Sequence, residues 1–218
     1  MFINWALQEI TMKIVYYGPA LSGKTTNLEY IYNRIAPSHR GEMVTLRTRE
    51  DRTIFFDFMQ IELGTIGGKK PKFSLYTVPG QDYYASSRKI ILKGADGIVF
   101  VADSQWQRLN ENIESLLSLE QNLIADGQSL GNIPWVLQYN KRDLSPVHSI
   151  ATLQEKLNFN QVPYLEAVAV QGKGVVETLK TIINLVVSDI EQKLKIMLQG
   201  RDKNGIQSRK NTCTAKID

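Results

Sequence analysis

An α/β fold, with a mostly parallel sheet and helices on both faces, is predicted by three observations. Strand-like and helical segments alternate along the 218 residues, as in successive βα units. Two short continuous apolar runs, 97–102 and 135–139, have the composition of strands buried on both sides. Between a β-branched and aromatic run at 13–17 and a helical pattern from Thr26 lies Gly18-Pro19-Ala20-Leu21-Ser22-Gly23-Lys24-Thr25, a complete G-x-x-x-x-G-K-[ST] loop.

Taken in order, residues 13–17 read as the first strand and 26–32 as the helix that follows the loop. Pro37 punctuates, and a charge-rich segment runs to Arg52. Residues 53–59 and 73–78 read as two strands; Gly64, Gly67 and Gly68 between them supply a turn, so the pair is expected to be an antiparallel hairpin. Leu109, Ile113, Leu116, Leu117 and Leu123 fall at helical spacing between the two apolar runs. A helix over 150–157, a last strand at 164–168 and a long amphipathic helix over 175–198 complete the pattern. From Gly200 the chain turns polar and basic, with Arg201, Lys203, Arg209, Lys210 and Lys216. Residues 1–199 are thus expected to form one domain and 200–218 a disordered basic tail, for which a solvated terminus is a simpler reading than a membrane contact.

Composition narrows the function classes. Hydrophobic content of 43% and charged content of 22% are those of a soluble globular protein. A net charge of +4 suits nucleotide phosphates, an acidic partner or an anionic membrane, and equally an ordinary solvated surface. The one cysteine, Cys213, excludes an intramolecular disulfide and a cysteine-only metal site. No apolar stretch reaches the roughly 18 residues of a membrane span, and no signal-peptide, myristoylation or prenylation pattern is read. A cytoplasmic protein is expected. His39 and His148 have no partners at ligand spacing and are assigned no chemistry.

The loop at 18–25 carries phosphate chemistry. Its glycines let backbone amides curl around phosphate oxygens at a helix N-terminus. Lys24 would reach the β- and γ-phosphates, and the Thr25 hydroxyl would ligate Mg2+. A second motif selects the base. Asn140-Lys141-Arg142-Asp143 follows directly on the run 135–139, at the carboxyl end of a strand, where open α/β sheets bind ligands. The Asp143 carboxylate can accept from guanine N1–H and the 2-amino group, whereas adenine has an acceptor at N1 and no 2-amino group. Asn140 can donate to the base N7 and tie this loop to the phosphate loop, and the Lys141 stem can lie over the base. An ATP-dependent kinase or ATPase fails on this motif.

With these motifs in place the chain resembles the Ras-like small GTPases, and most closely the bacterial gliding-motility and cell-polarity GTPases of the MglA type. The resemblance runs from about Ile3 to the last helix. It is carried by Lys13-Ile14-Val15-Tyr16-Tyr17-Gly18-Pro19, Asp51-Arg52-Thr53-Ile54-Phe55-Phe56-Asp57-Phe58, Leu75-Tyr76-Thr77-Val78-Pro79-Gly80-Gln81, Ser87-Arg88-Lys89-Ile90-Ile91-Leu92-Lys93-Gly94 and Gln138-Tyr139-Asn140-Lys141-Arg142-Asp143. It implies a P-loop NTPase, a Ras-like G domain whose mostly parallel six-stranded sheet has one antiparallel edge strand. It further implies GTP/GDP as ligand, Mg2+ as cofactor and slow GTP hydrolysis.

Residue by residue, the resemblance assigns nucleotide contacts to Gly18, Ala20, Leu21, Ser22, Gly23, Lys24, Thr25, Thr26, Thr53, Gly80, Asn140, Lys141, Asp143, Val168 and Ala169. Glu166-Ala167-Val168-Ala169 resembles the last guanine-contacting loop, in which the Ala169 amide would meet the guanine O6. Thr25 and Thr53 would hold Mg2+, with Thr45 and Thr48 as rivals to Thr53. Gln81 would orient the attacking water. Arg52 matches an arginine that acts as a finger from the same chain, and Arg47 and Arg49 crowd the same loop. The resemblance also implies a sliding second strand at 52–63, a Roadblock/LC7-type (MglB-like) activating partner, polarity or motility effectors and recruitment to cell poles.

Two residues depart from pattern. Thr77 stands where most Ras-like proteins have an aspartate bound to Mg2+ through water, although the motility family shares the threonine. Weaker Mg2+ anchoring is expected, with Asp57 or Asp82 as possible substitutes. Ala20 stands where the MglA-type pattern has glycine, and its methyl can obstruct closure on the γ-phosphate. Together with the altered 47–49 loop, these departures also fit a GTP-bound interaction scaffold with negligible hydrolysis.

Overall fold

The computed structural model describes residues 1–4, 6, 9–46, 56–62, 70–80 and 85–211. In chain order its elements are β1 (Phe2–Asn4), β2 (Glu9–Tyr17), α1 (Lys24–Arg34), β3 (Val44–Leu46), β4 (Phe56–Glu62), β5 (Lys70–Thr77), α2 (Ala85–Leu92), β6 (Gly97–Asp103), α3 (Leu109–Ile124), β7 (Trp135–Asn140), α4 (Ile150–Leu157), β8 (Tyr164–Glu166) and α5 (Val175–Asn211). The strands form one sheet in the order β3-β4-β5-β2-β6-β7-β8, with β1 paired to β2. β2 pairs in parallel with β5 and β6, and β6, β7 and β8 continue in parallel. β4 runs antiparallel to β5, with Phe58 opposite Tyr76 and Gln60 opposite Ser74, as the expected hairpin requires.

Among the described residues the sheet has eight strands, not six, and its antiparallel pairings lie on the β3–β4–β5 edge side and at β1 against β2. β3 pairs outside β4, with Thr45 opposite Asp57, and is the edge strand. β1 exists because β2 begins before β6 reaches it. β6 pairs only from Ile14 onward, so the start of β2 has a free side that Phe2, Ile3 and Asn4 occupy against Thr11, Ile10 and Glu9. Three-residue strands are too short to show a period.

Period-2 alternation divides the core between the two faces. Met12, Ile14 and Tyr16 pack with Leu28 and Ile31 of α1 and with Val175, Ile182 and Val186 of α5. Val15 and Tyr17 face the other way, toward Ile91 and Leu92 of α2, Leu116 and Leu119 of α3 and Leu153 and Leu157 of α4. β6 and β7 are buried at every position, which explains why the runs 97–102 and 135–139 are apolar but for Gln138. α2 carries only two turns, and no pattern marked it beforehand. α5 continues past Leu198 to Asn211, so the expected disorder is corrected for 200–211: the segment has no proline, and Gly200 and Gly205 weaken a helix without ending it. The expected glycine turn at 64–68 lies outside the described residues.

Candidate nucleotide-binding site

The loop between β2 and α1 is built on backbone conformations that few residues tolerate. Gly18 has φ +140° and Gly23 has φ +103°, while Leu21 sits at φ +62° with its side chain exposed. A Cβ on Gly18 would lie 2.2 Å from the Val101 carbonyl oxygen of β6, so the loop lies directly on the neighbouring strand end. Asn27 N–H returns to the Gly23 carbonyl at 3.0 Å, which opens the helical ladder and leaves the amides of residues 23–26, Thr26 included, as the N-terminal donors of α1. Gly80 closes the loop from the far side. A Cβ there would stand 2.4 Å from both Cα and N of Ala20.

Lys24 is buried, and its ammonium donates to the carbonyls of Gly18 at 2.8 Å and Pro19 at 2.7 Å. Its pKa is lowered to about 7, chiefly by burial and then by the nearby Arg88, with Asp57 opposing them. A phosphate anion beside the amine favours the charged form. Metal-free binding of GDP at about pH 8.5, where the terminal phosphate is fully ionised, is therefore expected to take up close to one proton at Lys24. Calorimetry in buffers of differing ionisation enthalpy reads this directly. The uptake should vanish on going to about pH 6, where Lys24 is already charged in the nucleotide-free chain.

Oxygen donors meet beneath the lysine. The Thr25 hydroxyl donates to Asp57 Oδ2 at 2.6 Å, and the Thr77 hydroxyl donates to the same oxygen at 2.9 Å. Thr77 Oγ1 in turn accepts from the Asp57 amide at 2.9 Å. Asp57 is buried, and its Oδ1 has no hydrogen-bond partner among the described residues. An all-oxygen set containing a buried, unsatisfied carboxylate oxygen fits a hard cation such as Mg2+. Thr45, the rival for the switch threonine, lies on edge strand β3 opposite Asp57.

The second motif occupies the expected strand end. Asn140 ends β7, and its Nδ2 donates to the Ser22 carbonyl at 2.8 Å, the predicted tie between the two loops. Its Oδ1 accepts from the Ala169 amide at 2.9 Å. That amide is the one the resemblance assigns to the guanine O6. Lys141, at φ +63°, donates to Asp103 Oδ2 at 2.7 Å, and Arg142 bonds Glu166 and the His148 carbonyl. Both cations beside Asp143 are thus engaged elsewhere. The exposed Asp143 carboxylate forms no hydrogen bond with any described residue. Val168 and Ala169 are buried just after β8, on the same side of the site.

Arg52, Thr53 and Gln81, with Arg47, Thr48, Arg49 and Asp82, lie outside the described residues. Arg108, just before α3, reaches the phosphate loop. Its Nη2 donates to the Ala20 carbonyl at 2.8 Å while Nη1 bonds Glu111 at 2.7 Å. A cavity of about 410 Å³ opens there, lined by Gly18, Ala20, Gly80, Arg88, Arg108 and Glu111. Sequence reasoning also missed Asp103, which anchors Lys141, and the buried chain in which Asn27 and Gln138 exchange two bonds of 2.9 Å and Gln138 donates to Thr178. That chain fixes α1 to β7 and α5 beneath the site. The common signal for these residues is a polar side chain inside an apolar run or on the buried stripe of a helix.

Comparison with known proteins agrees with this geometry. Residues 43–188 match the Ras family. The chain is 51% identical over 191 residues to the mutual gliding-motility protein MglA of Myxococcus xanthus, covering 88% of this chain and 98% of that protein. It is 27% identical over 196 residues to the Ras-related protein SEC4 of Saccharomyces cerevisiae, covering 89% and 83% of the two chains. It is 24% identical over 200 residues to the Ras-related protein Rab-32C of Dictyostelium discoideum, covering 84% and 77%. A phosphate loop and an N-K-x-D loop brought together on a Ras family domain make this chain a small GTPase. Within that class it belongs to the MglA type, as the sequence resemblance implied.

Proposed function

We propose that the protein is a GTP-driven switch that binds GTP and GDP with Mg2+ and hydrolyses GTP slowly, in control of bacterial gliding motility or cell polarity. The observation that carries the reading is the bond from Asn140 to the Ser22 carbonyl, which couples a phosphate loop to a base-reading loop whose carboxylate, Asp143, is uncommitted. Gly18, Ala20, Leu21, Ser22, Gly23, Lys24, Thr25 and Thr26 bind the phosphates. Asn140, Lys141, Asp143, Val168 and Ala169 bind the base. Thr25 and Thr53 hold Mg2+, which supplies charge neutralisation at the β- and γ-phosphates. Gln81 orients the attacking water, Arg52 stabilises the developing charge, and Gly80 lets the 77–90 segment approach the γ-phosphate. Residues 1–199 make up the domain, with the basic residues 200–218 outside it.

The identity with a protein named for gliding motility supports the cellular role, and the sequence resemblance alone implies an activating partner of Roadblock/LC7 type and recruitment to cell poles. No described helix is long and apolar enough to cross a membrane, which agrees with a cytoplasmic switch. Titration with GTP, GDP and ATP, followed by single-turnover hydrolysis with and without such a partner, tests the reading. Guanine nucleotides should bind far more tightly than ATP, and the partner should accelerate slow hydrolysis.

A second reading, a GTP-bound scaffold with negligible turnover, is favoured by the Ala20 methyl in the phosphate loop and by threonine at 77. Substitution separates the two. Ala20→Gly should raise the single-turnover rate, and Arg52→Ala should lower it by ~10²-fold or more, with GDP affinity nearly unaltered in both. An Ala20→Gly rate equal to the parent's means that the methyl is tolerated. Full activity in Arg52→Ala moves the finger to Arg47, Arg49 or the partner.

A further inference from the structure

We propose that Arg108 positions the Ala20–Leu21 peptide of the phosphate loop, holding the Leu21 amide ready for the β-phosphate of the nucleotide. This role rests on the nucleotide-binding reading and falls to a residue which that reading leaves out. A trans peptide is planar, and its C=O and N–H point in opposite directions. Arg108 Nη2 donates to the Ala20 carbonyl at 2.8 Å, so the Leu21 N–H points away from Arg108. That N–H has no hydrogen-bond partner among the described residues. Leu21 lies two residues from Pro19, whose carbonyl accepts from the Lys24 ammonium, and that lysine is the group that reaches the outer phosphates. A free donor on the far side of a peptide gripped by a cation is thus placed beside the β-phosphate position.

The grip answers a local strain. Leu21 sits at φ +62°, a left-handed conformation that is costly for a residue with a side chain. Rotating the 20–21 peptide would relieve Leu21 and turn its N–H out of the site, and the charge-assisted bond to the Ala20 carbonyl opposes that rotation. Arg108 is itself braced. Its Nη1 bonds Glu111 at 2.7 Å, and its Nε lies 3.8 Å from Asp103 Oδ2. Asp103 is fully buried, and the same Oδ2 accepts from Lys141 at 2.7 Å. Asn112 fixes Asp103 from behind through bonds to its amide and its carbonyl. One carboxylate therefore steadies both the cation on the phosphate loop and the lysine of the base-reading loop. An ion pair with Glu111 alone accounts for Nη1, and it leaves the Nη2 contact, made across 88 positions of chain, without a reason.

The test compares GDP with GMP, which lacks the β-phosphate, on the full chain. Arg108→Met keeps the apolar stem and removes the donors. It should weaken GDP by about 10-fold, as expected for loss of one charge-assisted hydrogen bond, and GMP by less than about 2-fold. The 31P resonance of the β-phosphate of bound GDP should move in this variant, and that of the α-phosphate should not. In a Leu21→Gly background the same change should cost less than about 3-fold, because glycine holds φ +62° without help. Arg108→Lys keeps the charge without the fork, so it should also lower the GDP-to-GMP affinity ratio, by about 3-fold or more. Should Arg108→Met fail to fold, that lysine variant carries the test. Equal losses of GDP and GMP affinity, an unmoved β-phosphate resonance, a loss undiminished in Leu21→Gly or an Arg108→Lys ratio equal to the parent's overturns the proposal, while GDP binding by the parent keeps the nucleotide reading intact. A parent chain that binds no guanine nucleotide overturns both.

Discussion

Asp143→Asn is expected to lose guanine nucleotides by roughly 3–6 kcal/mol, the worth of two hydrogen bonds to a charged group, and to shift preference toward xanthine nucleotides. The magnitude is large because no described residue competes for this carboxylate. Lys141 is held by Asp103, Arg142 by Glu166 and the His148 carbonyl, and Asp143 itself bonds no described residue. An asparagine presents one acceptor and one donor. It meets the N1–H and 2-amino pair of guanine with a donor facing a donor, while the 2-oxo group of xanthine accepts that donor. Competition binding with GDP, XDP and ADP reads the outcome. Because Asp143 is exposed, the variant should melt at the parent's temperature when free of nucleotide. ATP binding by the unsubstituted chain as tight as GTP binding would falsify the base assignment altogether.

Lys24→Ala is expected to abolish nucleotide binding, with an affinity loss of about 10³-fold or more. No other ammonium lies in the loop, and the two carbonyls that Lys24 bridges, Gly18 and Pro19, would be left to repel incoming phosphate oxygens. The fold should persist, since burial already works against the charged amine there. Equilibrium dialysis with labelled GDP checks the loss, and a thermal melt of the nucleotide-free variant checks the fold. Thr25→Ala should behave differently, with its effect confined to Mg2+-dependent affinity. Indifference of GTP affinity to both substitutions would remove the phosphate-loop reading.

The elements that were legible in advance share one property, a local pattern long enough to repeat. α4 spans 150–157 as its periodicity required, and β6 and β7 reproduced their apolar runs. β1, β3 and α2 were not legible, because three residues or two turns carry no period and their existence depends on a neighbouring strand or face. The extension of α5 to Asn211 was missed for the opposite reason, since polarity without a breaker does not stop a helix.

The site divides along the same line. Sequence alone determined the phosphate loop, the base-reading loop and the order of strands and helices that carries them, because each is a contiguous motif whose backbone geometry is dictated by its own glycines and flanking elements. The tertiary structure supplied the atoms of the expected tie, in which Asn140 spans 118 positions of chain to hold the Ser22 carbonyl. It also decided that Arg108 reaches Ala20 and that Asp57 takes the hydroxyls of both Thr25 and Thr77. These contacts join residues far apart in the chain, and they form only because parallel strands align their carboxyl ends at one edge and because an antiparallel strand, in one register, turns Asp57 inward. The sequence offered Asp57 and Asp82 as possible substitutes at the metal; what the fold adds for Asp57 is burial beside two threonines, with no partner for Oδ1 among the described residues.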